Sequence, residues 1–205
     1  MQTDWTKHWD VFNSVSWKFW DWRISHVYKK LLKNVKMKNV KILELGSGSG
    51  INSLNLAKTF KADEITLVDF NEKALNISKD VFKDSNVKIR FLKRDVLNLN
   101  LKEKFDIVHS EGLVEHFYGK DRIKIFKKHA EFCKKNGLII IFAPHENFNY
   151  YVFKKIYKMA NKWTWDEKPV TRDEIKEICD SIKLKIIKEY SSPFFIHEIG
   201  VLLKI

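Results

Sequence analysis

Glu44 stands two residues ahead of Gly46-Ser47-Gly48-Ser49-Gly50, a run that holds three of the chain's seven glycines. The stretch from 42 to 60, ILELGSGSGINSLNLAKTF, passes from an apolar strand pattern through these glycines into a helical one. Glycines spaced in this way let a backbone turn tightly and approach a bound group. Neighbouring residues decide which group. A dinucleotide fingerprint needs glycine at the sixth place of G-x-G-x-x-G, and Ile51 stands there. A phosphate-cradling loop needs Lys and then Ser or Thr after its last glycine, whereas Ile51-Asn52 follow Gly50. A carboxylate at position 44 repels a pyrophosphate and attracts an ammonium group.

Two more carboxylates extend the pattern. Asp69 closes the next strand-like run, where a carboxylate accepts hydrogen bonds from two ribose hydroxyls. Asp95 follows the third such run, and Val96 comes next, a pair suited to accept from an adenine amino group and pack on its ring. Together these residues ask for a cationic, adenosine-containing cofactor without phosphates. S-adenosylmethionine fits that description.

The elements that must position these residues can be read from the alternation of short apolar runs with longer amphipathic ones. Strands are predicted at 41–45, 64–70, 87–95, 105–110, 137–144, 184–190 and 194–205, with helices at 51–60, 71–84 and 121–135. The last of these helices is predicted to stop at Asn136-Gly137. GLIIIFAP, at 137–144, has the continuous apolar character of a strand buried on both faces. Such repetition implies an α/β fold with a parallel, doubly wound sheet and helices on both faces. Thr171 and Glu174 have capping-box spacing at the start of a helix.

ILELGSGSG, LVDFN, KRDVLNL, FDIVHSEGLVEHF and GLIIIFAP are similar, in order and spacing, to the successive motifs of class I S-adenosylmethionine-dependent methyltransferases. The similarity covers residues 40 to 145 and extends more loosely to the end. It implies a Rossmann-like seven-stranded sheet in the order 3-2-1-4-5-7-6 with the last strand antiparallel. It also implies that Glu44 and the loop of Gly46, Ser47, Gly48 and Gly50 hold the methionine portion of the cofactor. Asp69 would take the ribose, Phe70 would pack near the adenine, and Asp95 with Val96 would read its edge. Ser110 and Glu111 would line the cofactor near the sulfonium.

Glu115 and His116 match the Glu-His pair found after the fourth strand in many small-molecule relatives, including the quinone-biosynthesis type, and are the candidate catalytic residues. In some relatives this region is associated with a divalent metal. Here Glu111 lies four residues before Glu115 instead of three, and no metal is expected. His145 and Glu146, just past the fifth strand, are candidates for substrate contact. His109 is expected to be structural. The stretch WTWDEKPVTRDEIKEIC also resembles the small-molecule branch, in which E-x-P-x-T-x-x-E-I/L precedes the sixth strand.

Residues 1–35 carry five of the seven tryptophans, where the family often places a lid over the cofactor. Trp17, Trp20 and Trp22 are candidates to exclude water or stack on an aromatic or cationic substrate, and Arg23 to clamp the cofactor carboxylate. One domain is expected over 1–205: a lid at 1–35, a cofactor-binding core at 40–145 and a substrate-side insertion at 145–182.

The formal charge of +12 invites a nucleic-acid reading, but only five of the 38 basic residues are arginine, and the lysines are spread along the chain. The stretch HSEGLV lacks the prolines that mark nucleic-acid amino-methyltransferases. Cys133 and Cys179 have no metal-ligand spacing and are expected in the core. With no apolar run near 20 residues and no signal-peptide pattern, a cytoplasmic protein without membrane contact is expected. The expected function is methyl transfer to oxygen or nitrogen of a small molecule. RNA methylation and a non-catalytic cofactor-binding accessory role are the alternatives.

Overall fold

The computed structural model describes residues 3–11, 25–160, 163, 166–191 and 198–205. In chain order these form α1 (Trp5–Val11), a helical segment α2 at 25–31, β1 (Lys41–Leu45), α3 (Ile51–Phe60), β2 (Glu64–Asp69), α4 (Glu72–Phe82) and β3 (Lys88–Lys93). They continue as β4 (Phe105–Glu111), α5 (Lys120–Phe132), β5 (Cys133–Pro144), α6 (Phe148–Met159), α7 (Arg172–Ser181), β6 (Lys185–Ser191) and β7 (Glu198–Lys204). The seven strands form one sheet in the order β3-β2-β1-β4-β5-β7-β6. β1 to β5 run parallel, and β7 is antiparallel to both β5 and β6.

Strand side chains alternate between two apolar layers, as a period of two requires. Ile42, Ile65, Ile107, Ile140 and Leu202 pack with Val27, Leu31, Leu56 and Phe60 of α2 and α3. Their neighbours Leu43, Val108, Ile139, Ile141 and Val201 pack on the other face with Ile125, Phe126, Ile175 and Ile178 of α5 and α7. The turns at the carboxyl ends of β1, β2 and β4 are thereby held on rigid strands, facing one cavity.

Two expectations change. α5 ends at Phe132, not at 135, because Cys133 turns to extended geometry and pairs with Phe105. The register then jumps so that Ile107 faces Leu138, and exposed residues 134–136 take up the excess. Cys133 and Cys179 are free, buried thiols. Thr171 caps α7 by accepting from the Glu174 N–H at 3.0 Å, but the Glu174 carboxylate turns away to Arg122 instead of closing a capping box. Trp17, Trp20, Trp22, Arg23 and the first residues of the last predicted strand lie outside the described residues. Among the described residues, no helix is long and apolar enough to cross a membrane.

Candidate active site

A cavity of about 800 Å³ opens at the carboxyl ends of β1, β2, β4 and β5 and is roofed by α1. Its floor begins at Glu44, 2% exposed, whose Oε2 accepts the Ser53 hydroxyl proton at 2.7 Å. Ser53 Oγ lies 2.8 Å from His109 Nε2, and His109 Nδ1 lies 3.1 Å from the Tyr28 hydroxyl. Because Ser53 donates to Glu44, its oxygen accepts from His109 Nε2–H, and His109 Nδ1 accepts from Tyr28. Burial pushes the Glu44 carboxyl up to about 8 and His109 down to about 3, so both are neutral at pH 7.

The glycine loop is braced from β2. The Asp69 carboxylate accepts from the N–H groups of Gly48 and Asn71 at 2.9 and 2.8 Å, through different oxygens. Gly48 has φ +52°, and a Cβ placed on it would meet the Trp9 ring of α1 at 2.7 Å. The loop therefore needs glycine for its backbone and for the closeness of its roof. Ser47 Oγ is buried at the cavity wall with no hydrogen-bond partner among the described residues. A buried orphan hydroxyl beside a buried carboxyl fits the amino-acid end of a ligand that carries both donors and acceptors.

Phe70, 55% exposed, and Val96 offer apolar surface to the same cavity. Asp95 also lines it, while its carboxylate caps the following turn through Leu97 N–H and Asn98 Nδ2. Glu111 lines the cavity and accepts from Asn52 Nδ2. Ser110 does not line it. Successive residues of a strand face opposite ways, so Ser110 points to α5 and donates to His129 Nε2 at 2.9 Å. Gly50 is likewise set back, with Leu67 and Phe82 packed where its Cβ would stand. His145 and Glu146 also lie off the cavity, engaged with Ser191 and Tyr151.

At the other end, a single turn from Val114 to His116 presents both candidate catalytic residues. His116 Nδ1 lies 2.7 Å from the Asp166 carbonyl, so it donates there and leaves Nε2 as an acceptor. Burial lowers its pKa, which keeps Nε2 unprotonated at neutral pH. Trp5 of α1 packs edge-on against the ring, with centroids 4.7 Å apart. Glu115 is 2% exposed, and its Oε2 has no hydrogen-bond partner among the described residues. Burial, with Glu198 nearby, pushes this carboxyl up to about 8.

Arg122 sets this end in place. It is 1% exposed, pairs with both Glu174 oxygens and donates to the carbonyls of Phe117 and Lys168. These bonds, with Lys168 N–H to the Glu115 carbonyl, bring Asp166 and Glu167 beside Glu115. Lys168 N–H reaches that carbonyl at 3.0 Å. One oxygen each of Glu115 and Glu167 and a ring nitrogen of His116 lie within 4.8 Å of one another, a spacing that a cation could bridge. Sequence reading missed Asp166 and Glu198 at the cavity. Glu167 was visible as the glutamate of the E-x-P-x-T stretch, but without a role.

Geometry of this kind, a 3-2-1-4-5-7-6 sheet with a glycine loop and acidic strand ends around one cavity, defines the class I methyltransferase fold. Residues 42–137 match the family model described as a methyltransferase domain. Residues 42–137 are thus similar to a methyltransferase domain, set on a sheet of the class I order.

It is 26% identical over 138 residues to the ubiquinone biosynthesis O-methyltransferase of Pelagibacter ubique, covering 64% of this chain and 56% of that protein. It is 26% identical over 140 residues to the release factor glutamine methyltransferase of Flavobacterium psychrophilum, covering 68% and 47%. The chain spans about half the length of these curated relatives. In fold it is similar to magnesium protoporphyrin IX methyltransferase of Synechocystis PCC 6803 with bound SAH. The TM-score is 0.71 at 16% identity, over 98% of this chain and 99% of that one.

Proposed function

We propose that this chain binds S-adenosylmethionine in the cavity and transfers its methyl group to an oxygen or nitrogen of a small molecule. The observation that carries this reading is the buried Glu44 carboxyl beside the orphan Ser47 hydroxyl, at the foot of a glycine loop braced by Asp69. The cofactor supplies a methyl group already activated as a sulfonium. Glu44, ionised by a ligand ammonium, and the loop of Gly46, Ser47 and Gly48 hold the methionine end. Asp69 has lone pairs left for the ribose, Phe70 and Val96 pack on the adenine, and Asp95 accepts from its amino group. Glu111 faces the sulfonium side. Glu115 and His116, side by side on one turn, are the pair that takes up the acceptor's proton as the nucleophile forms its bond.

In this reading one domain spans the chain. Residues 1–35 act as lid, 40–145 bind the cofactor and 145–182 form the acceptor side. Trp5 and Trp9 roof the cavity and exclude water. The +12 charge favours RNA as a second acceptor class. Against it, none of the described residues lining the cavity is Lys or Arg, so no cationic path leads a phosphate backbone to the methyl. The test is transfer from methyl-labelled S-adenosylmethionine into a cell extract that is then fractionated. Label in the small-molecule fraction is expected. Label confined to RNA or protein, or no transfer at all, overturns the reading.

A further inference from the structure

We infer that the methyl acceptor is an amine, bound as its ammonium ion by Glu115 with Glu167 and Glu198 around it, so that the transfer is an N-methylation. This rests on the cofactor reading above and narrows it to a substrate class. The chain carries twelve more basic than acidic side chains, yet nine of the described cavity-lining residues are Asp or Glu and none is Lys or Arg. In a surface so rich in lysine, a cavity whose described lining holds nine carboxyls and, on the basic side, only His8 and His116 selects for cations and against anionic acceptors. One cation, the cofactor, accounts for the carboxylates at the glycine-loop end. It does not account for those at the far end.

There, Glu115, Asp166, Glu167 and Glu198 converge from the turn after β4, the segment before α7 and the start of β7. Asp166 is engaged by the Tyr118 hydroxyl at 2.9 Å. Glu115 Oε2 is different: buried, at the cavity wall and without a hydrogen-bond partner among the described residues, it awaits a donor from a ligand. Among the described residues, Arg122 pairs with Glu174 and Lys154 lies over the faces of Tyr150 and Trp163, and neither donates a hydrogen bond to Glu115 Oε2. Burial, with Glu115 close by, pushes Glu167 up to about 7, so this end binds a cation by giving up protons. Trp5, Phe117 and Phe153 complete the walls, aromatic surfaces that suit an ammonium on a short aryl chain.

The step balances. The bound ammonium, R–NH3+, passes a proton to the Glu115 carboxylate and becomes a neutral amine. Its lone pair forms the N–C bond to the methyl carbon as the C–S bond breaks, with the bonding pair staying on sulfur. The product is the methylammonium ion and the neutral thioether, and the Glu115 proton leaves to water. An alcohol brings no positive charge to meet Glu115 Oε2.

The test uses the full chain with 2-phenylethylamine, its N-methyl form and 2-phenylethanol. Titration of each into protein saturated with S-adenosylhomocysteine reads binding without turnover. Turnover with labelled S-adenosylmethionine reads transfer. Both amines are expected to bind at least tenfold more tightly than the alcohol, and the primary amine to accept label. Glu115→Gln is expected to retain S-adenosylhomocysteine affinity within about twofold, which also shows that it folds. It should lose roughly a hundredfold in kcat/KM for the amine, with partial recovery in Glu115→Asp.

The inference is overturned if neither amine binds at millimolar concentration, if the alcohol is preferred, or if Glu115→Gln leaves amine turnover unchanged. It is also overturned if Mg²⁺ or Zn²⁺ alone binds at micromolar concentration through Glu115 and a chelator abolishes transfer. Loss of S-adenosylhomocysteine binding by the unaltered chain is a separate result and refutes the cofactor reading itself.

Discussion

Glu44→Gln should make the empty protein more stable and the liganded one weaker, a pair of opposite effects with one cause. In the folded chain the Glu44 carboxyl keeps its proton to about pH 8, whereas its ordinary value is 4.5. Between those values the folded state binds the extra proton, so stability relative to a neutral isostere falls as pH rises. The deficit is absent below pH 4.5 and complete above pH 8. At pH 7 it has an upper limit of roughly 3 kcal/mol, at about 1.4 kcal/mol per pH unit. Gln keeps an oxygen for the Ser53 hydroxyl but carries no charge to desolvate. The variant should melt about 5–10 °C higher than the parent at pH 7 in the absence of ligand, and the gap should close toward pH 5.

With ligand the sign reverses. A charged hydrogen bond to the ligand ammonium is worth about 1.5–3 kcal/mol, so S-adenosylhomocysteine should bind the variant roughly ten- to a hundredfold more weakly. The parent should also release close to one proton on binding at pH 7, read by calorimetry in buffers of different ionisation enthalpy, and the variant should not. A variant that melts lower at pH 7, or binds S-adenosylhomocysteine as tightly as the parent, refutes the assignment of Glu44.

Asp69→Asn presents an N–H where one of two backbone N–H donors now finds an oxygen, and should cost at least tenfold in S-adenosylhomocysteine affinity by calorimetry. Arg122→Met leaves Glu174 and the carbonyls of Phe117 and Lys168 without their shared donor. It should lower unfolding free energy in urea by about 3–5 kcal/mol. Tyr28→Phe removes the donor to buried His109 Nδ1 and should cost about 1–3 kcal/mol in the same assay, with S-adenosylhomocysteine affinity little changed.

What the sequence made legible was local. The strand-loop-helix step at 41–60 carries its own signals, an apolar run, three glycines and a helical period, and Glu44 and Asp69 sit at strand ends fixed by those signals. The sheet order came through resemblance, since periodicity orders no strands. Ser110 was assigned beside Glu111 although adjacent strand residues face opposite ways, and the structure puts the two on opposite sides. The end of α5 was misjudged because Asn136-Gly137 is a strong stop signal, while the chain had already turned at Cys133 to pair with Phe105. The acidic far end was not legible. Glu115, Glu167 and Glu198 meet only because Arg122 ties the 166–171 segment down and β7 returns antiparallel beside β5. No sequence period links them.

A crystal structure of the chain grown with saturating S-adenosylhomocysteine tests the central claim most directly. The account predicts the ligand ammonium at hydrogen-bond distance from Glu44, the ribose hydroxyls on Asp69, and the sulfur turned toward Glu115 and His116. A ligand seated elsewhere, or a cavity empty of it at saturating concentration, contradicts the account.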